Sequence, residues 1–178
     1  GLKRISMKSN NEVIKLLTEL NQFKSMTPDM SGCQKYIDDY LSKSNFKTEY
    51  IKYDSVQNIV STYGEGSPCL AFIGHTDVVP SGDIVQWDSN PFTLTKKNDF
   101  LVGRGTSDMK GGIACFMQAV SEFIKENDNF NGSIKLILTG DEEGDAVNGI
   151  RKLVASGVFE KKHGRRVGGL GRLAGSGW

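Results

Sequence analysis

The feature that most constrains this chain is an apolar run, residues 69–73, that leads directly into His75 and Asp77. A short apolar run bounded by turn residues is typical of a buried strand, and the polar residues after it mark the point where such a strand opens into a cleft. Two carboxylate-bearing loops, 103–110 and 139–144, each lie next to another strand-like run. We therefore predict that the three segments meet at strand ends and form one metal site.

Helical and extended patterns alternate along the rest of the chain. Apolar residues at helical spacing predict four helices that start near Ser9, Thr27, Gly112 and Ile150. Extended patterns predict strands at 46–53, 58–63, 69–73 and 133–138 and a hairpin at 94–102. This alternation favours an α/β fold, a layered sheet flanked by helices, with the loops at strand ends forming the site.

Composition fits one ordinary globular domain, because 38% of the 178 residues are hydrophobic and 24% are charged. The formal net charge of +1 gives no reason to expect nucleic acid or an anionic membrane as a partner. No apolar run approaches the roughly 18 residues that a membrane span needs. The three cysteines, Cys33, Cys69 and Cys115, form no C-x-x-C pair, which favours reduced thiols and a cytoplasmic location.

The two ends of the chain differ from its centre. Six residues precede Met7, and we expect 1–8 to be a leader or extension ahead of a catalytic unit at 9–160. The last fifteen residues hold six glycines and three of the six arginines, with no lysine, acid or asparagine. We therefore interpret 161–178 as an atypical Gly/Arg-rich tail, with a frameshifted or vector-derived end as the leading hypothesis.

The residue types in the three segments suit a divalent metal. Imidazole nitrogen and carboxylate oxygen are common zinc ligands, which makes His75 a candidate ligand. A carboxylate beside a metal-bound histidine more often orients the ring, and we assign that role to Asp77. Asp108 lies just ahead of a long predicted helix, where one carboxylate can bridge two metals or simply cap the helix.

The adjacent acids Glu142 and Glu143 suggest a division of labour. Neighbouring side chains of an extended segment point in opposite directions, so one glutamate is expected to bind metal and the other to face the attacking water. Ordinary surface charge is the alternative for any such pair. Taken together, the order and spacing of the three segments are much more specific than any one of them.

The same segments resemble the metal-site motifs of the M20 metallopeptidase family. They are residues 74–80, 103–111 and 141–143. Outside them, 27–29 with 32–34, and Trp87 with 91–92, are most similar to the branch of the family that removes a succinyl group from N-succinyl-diaminopimelate, in lysine and diaminopimelate biosynthesis. The resemblance covers roughly residues 10–158.

This resemblance implies a two-zinc amide hydrolase that acts on a small N-acyl amino acid, with Co²⁺ as a possible substitute metal. It implies His75 on one zinc, Asp108 bridging, and Glu143 on the second zinc. Glu142 is then the general acid and base, and Asp77 orients His75. It further implies the N-terminal part of a zinc-exopeptidase-like catalytic domain, a cis peptide after Asp108, and a homodimeric parent protein.

Members of the family are longer and carry a further acidic ligand, a lid or dimerisation domain and a late metal-binding histidine. We expect no such role for His163, which lies among basic residues. The expectation is therefore a truncated chain that is weak or inactive alone, with an open sheet edge and an uncovered apolar face. The alternatives are a non-catalytic fragment with residual metal binding or chain pairing, or another M20 deacylase such as an acetylornithine deacetylase, aminoacylase or carboxypeptidase.

Overall fold

The computed structural model describes residues 7–127 and 129–159. The helices there are α1 (Met7–Gln22), α2 (Cys33–Ser42), α3 (Gly111–Glu126) and α4 (Ile150–Ala155). The strands are β1 (Lys47–Tyr53), β2 (Val56–Glu65), β3 (Cys69–His75), β4 (Thr95–Lys97), β5 (Phe100–Val102) and β6 (Gly132–Thr139). The predicted α/β fold, a sheet flanked by helices, is confirmed.

The main sheet brings the ends of β3 and β6 together. Its strand order is β1-β2-β6-β3, and β4 and β5 form a separate hairpin. β1 and β6 are antiparallel to β2, whereas β3 runs parallel to β6 with His75 opposite Thr139. Because parallel strands end at the same sheet edge, the loops after β3 and β6 leave the sheet side by side.

The principal core lies between one face of the sheet and the helices α1, α2 and α3. Alternate residues of β6 point into it, and so does the apolar stripe of α3. A smaller cluster on the opposite face joins Val60 and Ile137 to Leu153 of α4. Because α3 packs in the principal core, the loop that carries Asp108 and leads directly into α3 is anchored to a core helix.

β3 is less buried than its apolar sequence predicts. The side chains of Leu70 and Ile73 are 61% and 49% exposed, so the prediction of a buried strand was wrong. Among the described residues β3 pairs only with β6, and it forms one edge of the sheet. The face that includes Cys69 and Ile73 matches the expected uncovered apolar face.

Two helices begin at other residues than predicted. α1 begins at Met7, two residues before Ser9, and ends at Gln22. α2 begins at Cys33 rather than near Thr27. Ser31 and Gly32 have φ angles of 50° and 86°, and such left-handed conformations cannot continue a right-handed helix.

The remaining elements agree with their predictions. The hairpin at 94–102 and the strand at 133–138 form, and the helices predicted to start near Gly112 and Ile150 form as α3 and α4. None of the described helices is long and apolar enough to cross a membrane. The predicted tail at 161–178, and His163 within it, lie outside the described residues, as do residues 1–6 of the predicted leader.

Candidate metal centre

His75 stands at the centre of the site. It ends β3 and is 5% exposed. Its ring atom Nδ1 lies 3.0 Å from the carbonyl oxygen of Asp77 and 3.6 Å from Asp77 Oδ1. Its other nitrogen, Nε2, lies 3.0 Å from Asp108 Oδ1 and 3.9 Å from Glu142 Oε2. One edge of the ring is therefore held by Asp77, and the other edge faces the carboxylates of two different loops.

Asp77 ties the loop after β3 to the loop after β6. Its side chain is buried, and Oδ2 accepts hydrogen bonds from the backbone N–H groups of Glu142 and Glu143 at 3.0 and 2.8 Å. The Thr27 hydroxyl donates to the same oxygen at 2.9 Å. Oδ1 has no hydrogen-bond partner among the described residues and faces the His75 ring. Asp77 therefore lies behind the His75 ring, and its orienting role stays a prediction.

The pKa shifts of His75 and Asp77 favour the charged form of each group. Burial lowers the pKa of His75, but the Asp77 carboxylate and carbonyl, together with Asp108, outweigh burial and raise the pKa to about 9. Burial raises the pKa of Asp77, but the nearby His75 ring and the hydrogen bonds from the Glu143 N–H, the Thr27 hydroxyl and the Glu142 N–H outweigh burial and hold that pKa below its usual value. Asp77 is therefore an ionised partner for the imidazole.

Both adjacent glutamates reach the cluster. Ligand atoms of His75, Glu142 and Glu143 all lie within 4.8 Å of one another. The expectation that the two glutamates point apart assumed an extended segment, whereas the chain bends at 142–144 and both carboxylates face the site. Burial raises the pKa of Glu143 against the opposing influence of His75, and the neighbouring carboxylates of Glu142, Asp108 and Asp77 add to the rise. Such mutual repulsion is relieved when a cation binds between the acids.

Asp108 reaches the cluster from the third loop. It contacts His75 Nε2, and 74% of its side chain is exposed. Its backbone angles are non-helical, and the cap of α3 is Lys110, so the helix-cap alternative does not describe Asp108. The peptide bond from Asp108 to Met109 is cis, as the family resemblance implied.

Gly74 gives Met109 room beside the histidine. A Cβ atom on Gly74 would lie 2.8 Å from Met109 Sδ, closer than real contacts allow. The backbone N–H of His75 donates to that sulfur at 3.2 Å. The loop residue next to Asp108 is therefore packed directly on the strand that carries His75.

A polar support for the segment after β3 was not recognised from sequence. Ser25 Oγ donates to the carbonyl of Thr76 at 2.6 Å, and Gln34 Nε2 donates to Thr76 Oγ1 at 3.0 Å. Both Ser25 and Gln34 are fully buried. Gln34 precedes Ile37 and Leu41 by three and seven residues, a spacing that places it on the buried face of α2. That spacing was the signal available in the sequence.

Asp141 organises the loop that carries the two glutamates. It is 3% exposed, and its carboxylate accepts hydrogen bonds from the backbone N–H groups of Ala146, Val147 and Asn148 at 2.8–3.1 Å. The sequence placed Asp141 in the motif but gave it no role. The structure shows that it anchors the loop and does not point into the cluster.

A pocket of about 290 Å³ adjoins the cluster. It is lined by Val78 and Val79, by the loop 103–108 and by Glu143. The pocket thus has an apolar side and a charged side, and both glutamate-bearing and aspartate-bearing loops border it. A small molecule in this pocket would lie next to the carboxylate cluster.

The donor set fits a divalent metal ion. One imidazole nitrogen and three carboxylates converge from His75, Asp108, Glu142 and Glu143. Catalytic zinc commonly takes three such protein ligands and keeps a position open. The orienting carboxylate of Asp77 behind the histidine is also typical of zinc centres.

Known proteins are similar to this chain in sequence and in fold. The model of peptidase family M20/M25/M40 matches residues 71–171, a range that extends into the Gly/Arg-rich segment. A succinyl-diaminopimelate desuccinylase of Coxiella burnetii is 44% identical over 144 residues, which are 81% of this chain and 38% of that protein. The chain therefore spans well under half the length of this curated relative.

Solved structures agree in fold at lower sequence identity. Human carnosine dipeptidase 1 superposes with a TM-score of 0.73 at 22% identity, covering 84% of this chain and 36% of that one. A dinuclear metal-binding M20 peptidase from Bacillus subtilis superposes with a TM-score of 0.61 at 16% identity, covering 87% and 41%. Because the family model matches more than half of its residues, this chain belongs to peptidase family M20/M25/M40.

Proposed function

We propose that the chain carries the metal-binding and proton-transferring part of a zinc-dependent amide hydrolase that removes succinate from N-succinyl-diaminopimelate. The observation that carries the proposal is the convergence of three carboxylates around His75: Asp108 and Glu142 lie at its Nε2 atom, and Glu143 belongs to the same cluster. The substrate is taken from the relative at 44% identity, which is a succinyl-diaminopimelate desuccinylase. Since the chain spans 38% of that relative, the activity is proposed for the whole protein.

The residues that hold the metal are proposed to be His75 on one zinc ion, Asp108 between two ions and Glu143 on the second. The dinuclear Bacillus subtilis peptidase of similar fold supports two ions, and Co²⁺ is a plausible substitute. When bound, zinc supplies Lewis-acid chemistry that polarises an amide carbonyl and makes water easier to deprotonate. Asp77 holds the His75 ring so that Nε2 stays directed at the cluster.

Glu142 is the proposed general base and acid. Its carboxylate is half exposed and reaches within 3.9 Å of His75, while its backbone N–H is fixed to Asp77. From this position Glu142 Oε2 can take a proton from the attacking water and give it to the leaving amine nitrogen. The C–N bond of the amide breaks, and succinate and diaminopimelate are released.

The proposal includes the cellular setting and the partners of the protein. Cys33, Cys69 and Cys115 are free thiols, which supports a reducing, cytoplasmic compartment. The near-neutral net charge supports small-molecule substrates rather than nucleic acid or membrane. A homodimer is proposed for the whole parent protein.

An acyl-group assay with added zinc tests the proposal. We expect the protein to release succinate from N-succinyl-diaminopimelate faster than acetate from N-acetylornithine. Glu142→Ala is expected to lose about 10²–10⁴-fold in rate, because its proton transfer is lost. Glu126→Ala, which removes an exposed glutamate at the end of α3, is the matched control.

Three results would contradict this function. A preference for acetyl or peptide substrates would assign the chain to another activity within the family. Zinc-dependent succinate release that survives Glu142→Ala would remove Glu142 from the chemistry. No turnover together with no zinc binding would contradict the proposal for this chain as a whole.

A further inference from the structure

An arginine lines the same pocket as the metal-site carboxylates. Arg104 borders the pocket of about 290 Å³ together with Asp108 and Glu143. Its guanidinium carbon lies 5.1 Å from the centre of the Trp87 ring. Cation–π stacking of this kind fixes the plane of a guanidinium group without using its hydrogen-bond donors.

The Trp87 ring, on which Arg104 stacks, is itself held in place. Trp87 Nε1 donates to the carbonyl of Ser81 at 2.9 Å, which fixes the indole ring. The backbone N–H of Arg104 donates to the carbonyl of Pro91 at 2.7 Å, and its carbonyl accepts from Asn21 Nδ2 at 2.9 Å. The arginine is thus positioned through both its main chain and its side chain.

The charge of Arg104 is not neutralised by the residues that the structure describes. No aspartate or glutamate in 7–127 or 129–159 lies within 4.0 Å of its guanidinium nitrogens. Its Nε atom is buried and has no hydrogen-bond partner within those residues. A buried donor without a partner is unfavourable, so the guanidinium gains when a group supplies it with an acceptor.

We propose that Arg104 binds a free carboxylate of the substrate and fixes the substrate's position in the pocket. The planar guanidinium presents paired N–H donors that match the two oxygens of a carboxylate. The proposal rests on the proposed function, whose substrate has carboxylates on both the acyl half and the amino acid half. Arg104 lines the same pocket as Asp108 and Glu143, so a carboxylate held by its guanidinium stays beside the metal-site cluster.

Binding measurements on the 178-residue chain test Arg104 without any need for turnover. Succinate, diaminopimelate and uncharged succinamide are titrated by calorimetry in the presence of phenanthroline, a neutral chelator that removes metal and does not compete for an anion site. Arg104→Gln and Arg104→Lys are compared with Arg151→Gln, which removes the same charge from an exposed arginine of α4.

We expect Arg104→Gln to weaken binding of the carboxylate probe by about 10-fold or more, the equivalent of roughly 1.4 kcal/mol. Arg104→Lys is expected to fall between the wild type and Arg104→Gln, because it keeps the charge but loses the paired donors. Arg151→Gln should bind as the wild type does, and succinamide should not distinguish the variants. If Arg104→Gln weakens the binding of succinate only, Arg104 binds the carboxylate of the acyl half. If it weakens the binding of diaminopimelate only, Arg104 binds a carboxylate of the amino acid half.

The proposal is overturned if neither probe binds the wild type, or if Arg104→Gln and Arg151→Gln weaken binding equally. If Arg104→Gln does not fold, Trp87→Leu replaces it, because that variant removes the stacked ring and keeps the guanidinium. Unchanged binding in a folded Trp87→Leu variant then overturns the proposal. Arg104-dependent binding without zinc-dependent hydrolysis would contradict only the proposed function. Zinc-dependent hydrolysis without Arg104-dependent binding would contradict only the role of Arg104.

Discussion

At the scale of single residues, the site depends on side chains that each hold several partners. Asp77 receives three hydrogen bonds on one oxygen and leaves the other oxygen for His75. It connects Thr27, the histidine and both glutamates in one network. A change at such a residue is therefore expected to act on metal binding through the geometry of the ligands.

Asp77→Asn is expected to weaken zinc binding by about 10–100-fold, the usual effect of losing a carboxylate behind a metal-bound histidine. An amide oxygen can still accept from the backbone N–H groups of Glu142 and Glu143. The amide NH₂ then faces His75 Nδ1, where a second donor opposes the required ring orientation. Competition titration with a chromophoric chelator measures the change.

Asp99→Asn is the matched control, because Asp99 is exposed in the turn between β4 and β5. Equal zinc affinity in the wild type and Asp77→Asn would show that Asp77 does not orient the histidine. Equal losses of zinc affinity in Asp77→Asn and Asp99→Asn would show that the effect comes from the net charge of the protein and not from the position of Asp77.

Cys33 provides a pH-dependent contribution to stability away from the site. Burial raises the pKa of its thiol from 9.0 to about 11, against smaller lowering effects of Lys110 and Ser25. Between these values the unfolded chain releases a proton that the folded chain keeps, so the free energy of unfolding falls as pH rises from about 9 to 11. The full loss is about 2–3 kcal/mol.

Urea unfolding at pH 8 and pH 10.5 measures this contribution. Cys33→Ala lacks the thiol and is expected to lose less stability over the same interval. If the two proteins lose stability in parallel, the buried thiol is not the cause.

At the scale of elements, loops are fixed by carboxylates that receive backbone hydrogen bonds. Asp141 accepts three such bonds and so holds the segment between β6 and α4. Glu142 and Glu143 lie at the start of this segment. Their positions therefore depend on an anchor that does not touch the ligand cluster.

Asp141→Asn is expected to destabilise the protein by about 1–3 kcal/mol, because an NH₂ group replaces one acceptor and opposes the backbone donors. Zinc affinity is expected to fall with it. Asp145→Asn, an exposed position in the same loop, is the control and should change neither property. Thermal unfolding and zinc titration of both variants check this; an unaffected Asp141→Asn variant would contradict the anchoring role.

Sequence patterns predicted those elements whose signal is local. The stripe of Ile113, Met117 and Val120 in α3 identifies a buried helix face without knowledge of its neighbours. The run in β3 does not reveal whether a strand is central or at an edge, because both are apolar. The start of α2 depends on the left-handed conformation of Gly32, which no apolar period encodes.

The sequence predicted the part of the candidate site that lies in local motifs, and it did not predict the partners that come from distant segments. His75 and the acids stand in short motifs whose residue types indicate metal binding. The contacts of Asp77 with Thr27, and of Arg104 with Trp87, join residues 50 and 17 positions apart in the chain. Such partners are defined by tertiary packing and leave no local pattern.

At the scale of the whole molecule, sheet topology brings the three loops together. Parallel pairing of β3 with β6 places His75 beside Thr139, and α3 carries the third loop against the same edge. The chain belongs to peptidase family M20/M25/M40 and spans 38% of the length of a curated relative at 44% identity. We infer that the three loops of this chain assemble a metal site around His75.

Zinc titration of the 178-residue chain tests that claim most directly, and the chain supplies a matched control in its only other histidine, His163. The wild type and His163→Ala are predicted to bind zinc with the same affinity, and His75→Ala is predicted to lose at least about 100-fold, since it removes the central ligand. Retention of wild-type affinity in His75→Ala, or loss of affinity in His163→Ala instead, would contradict the claim.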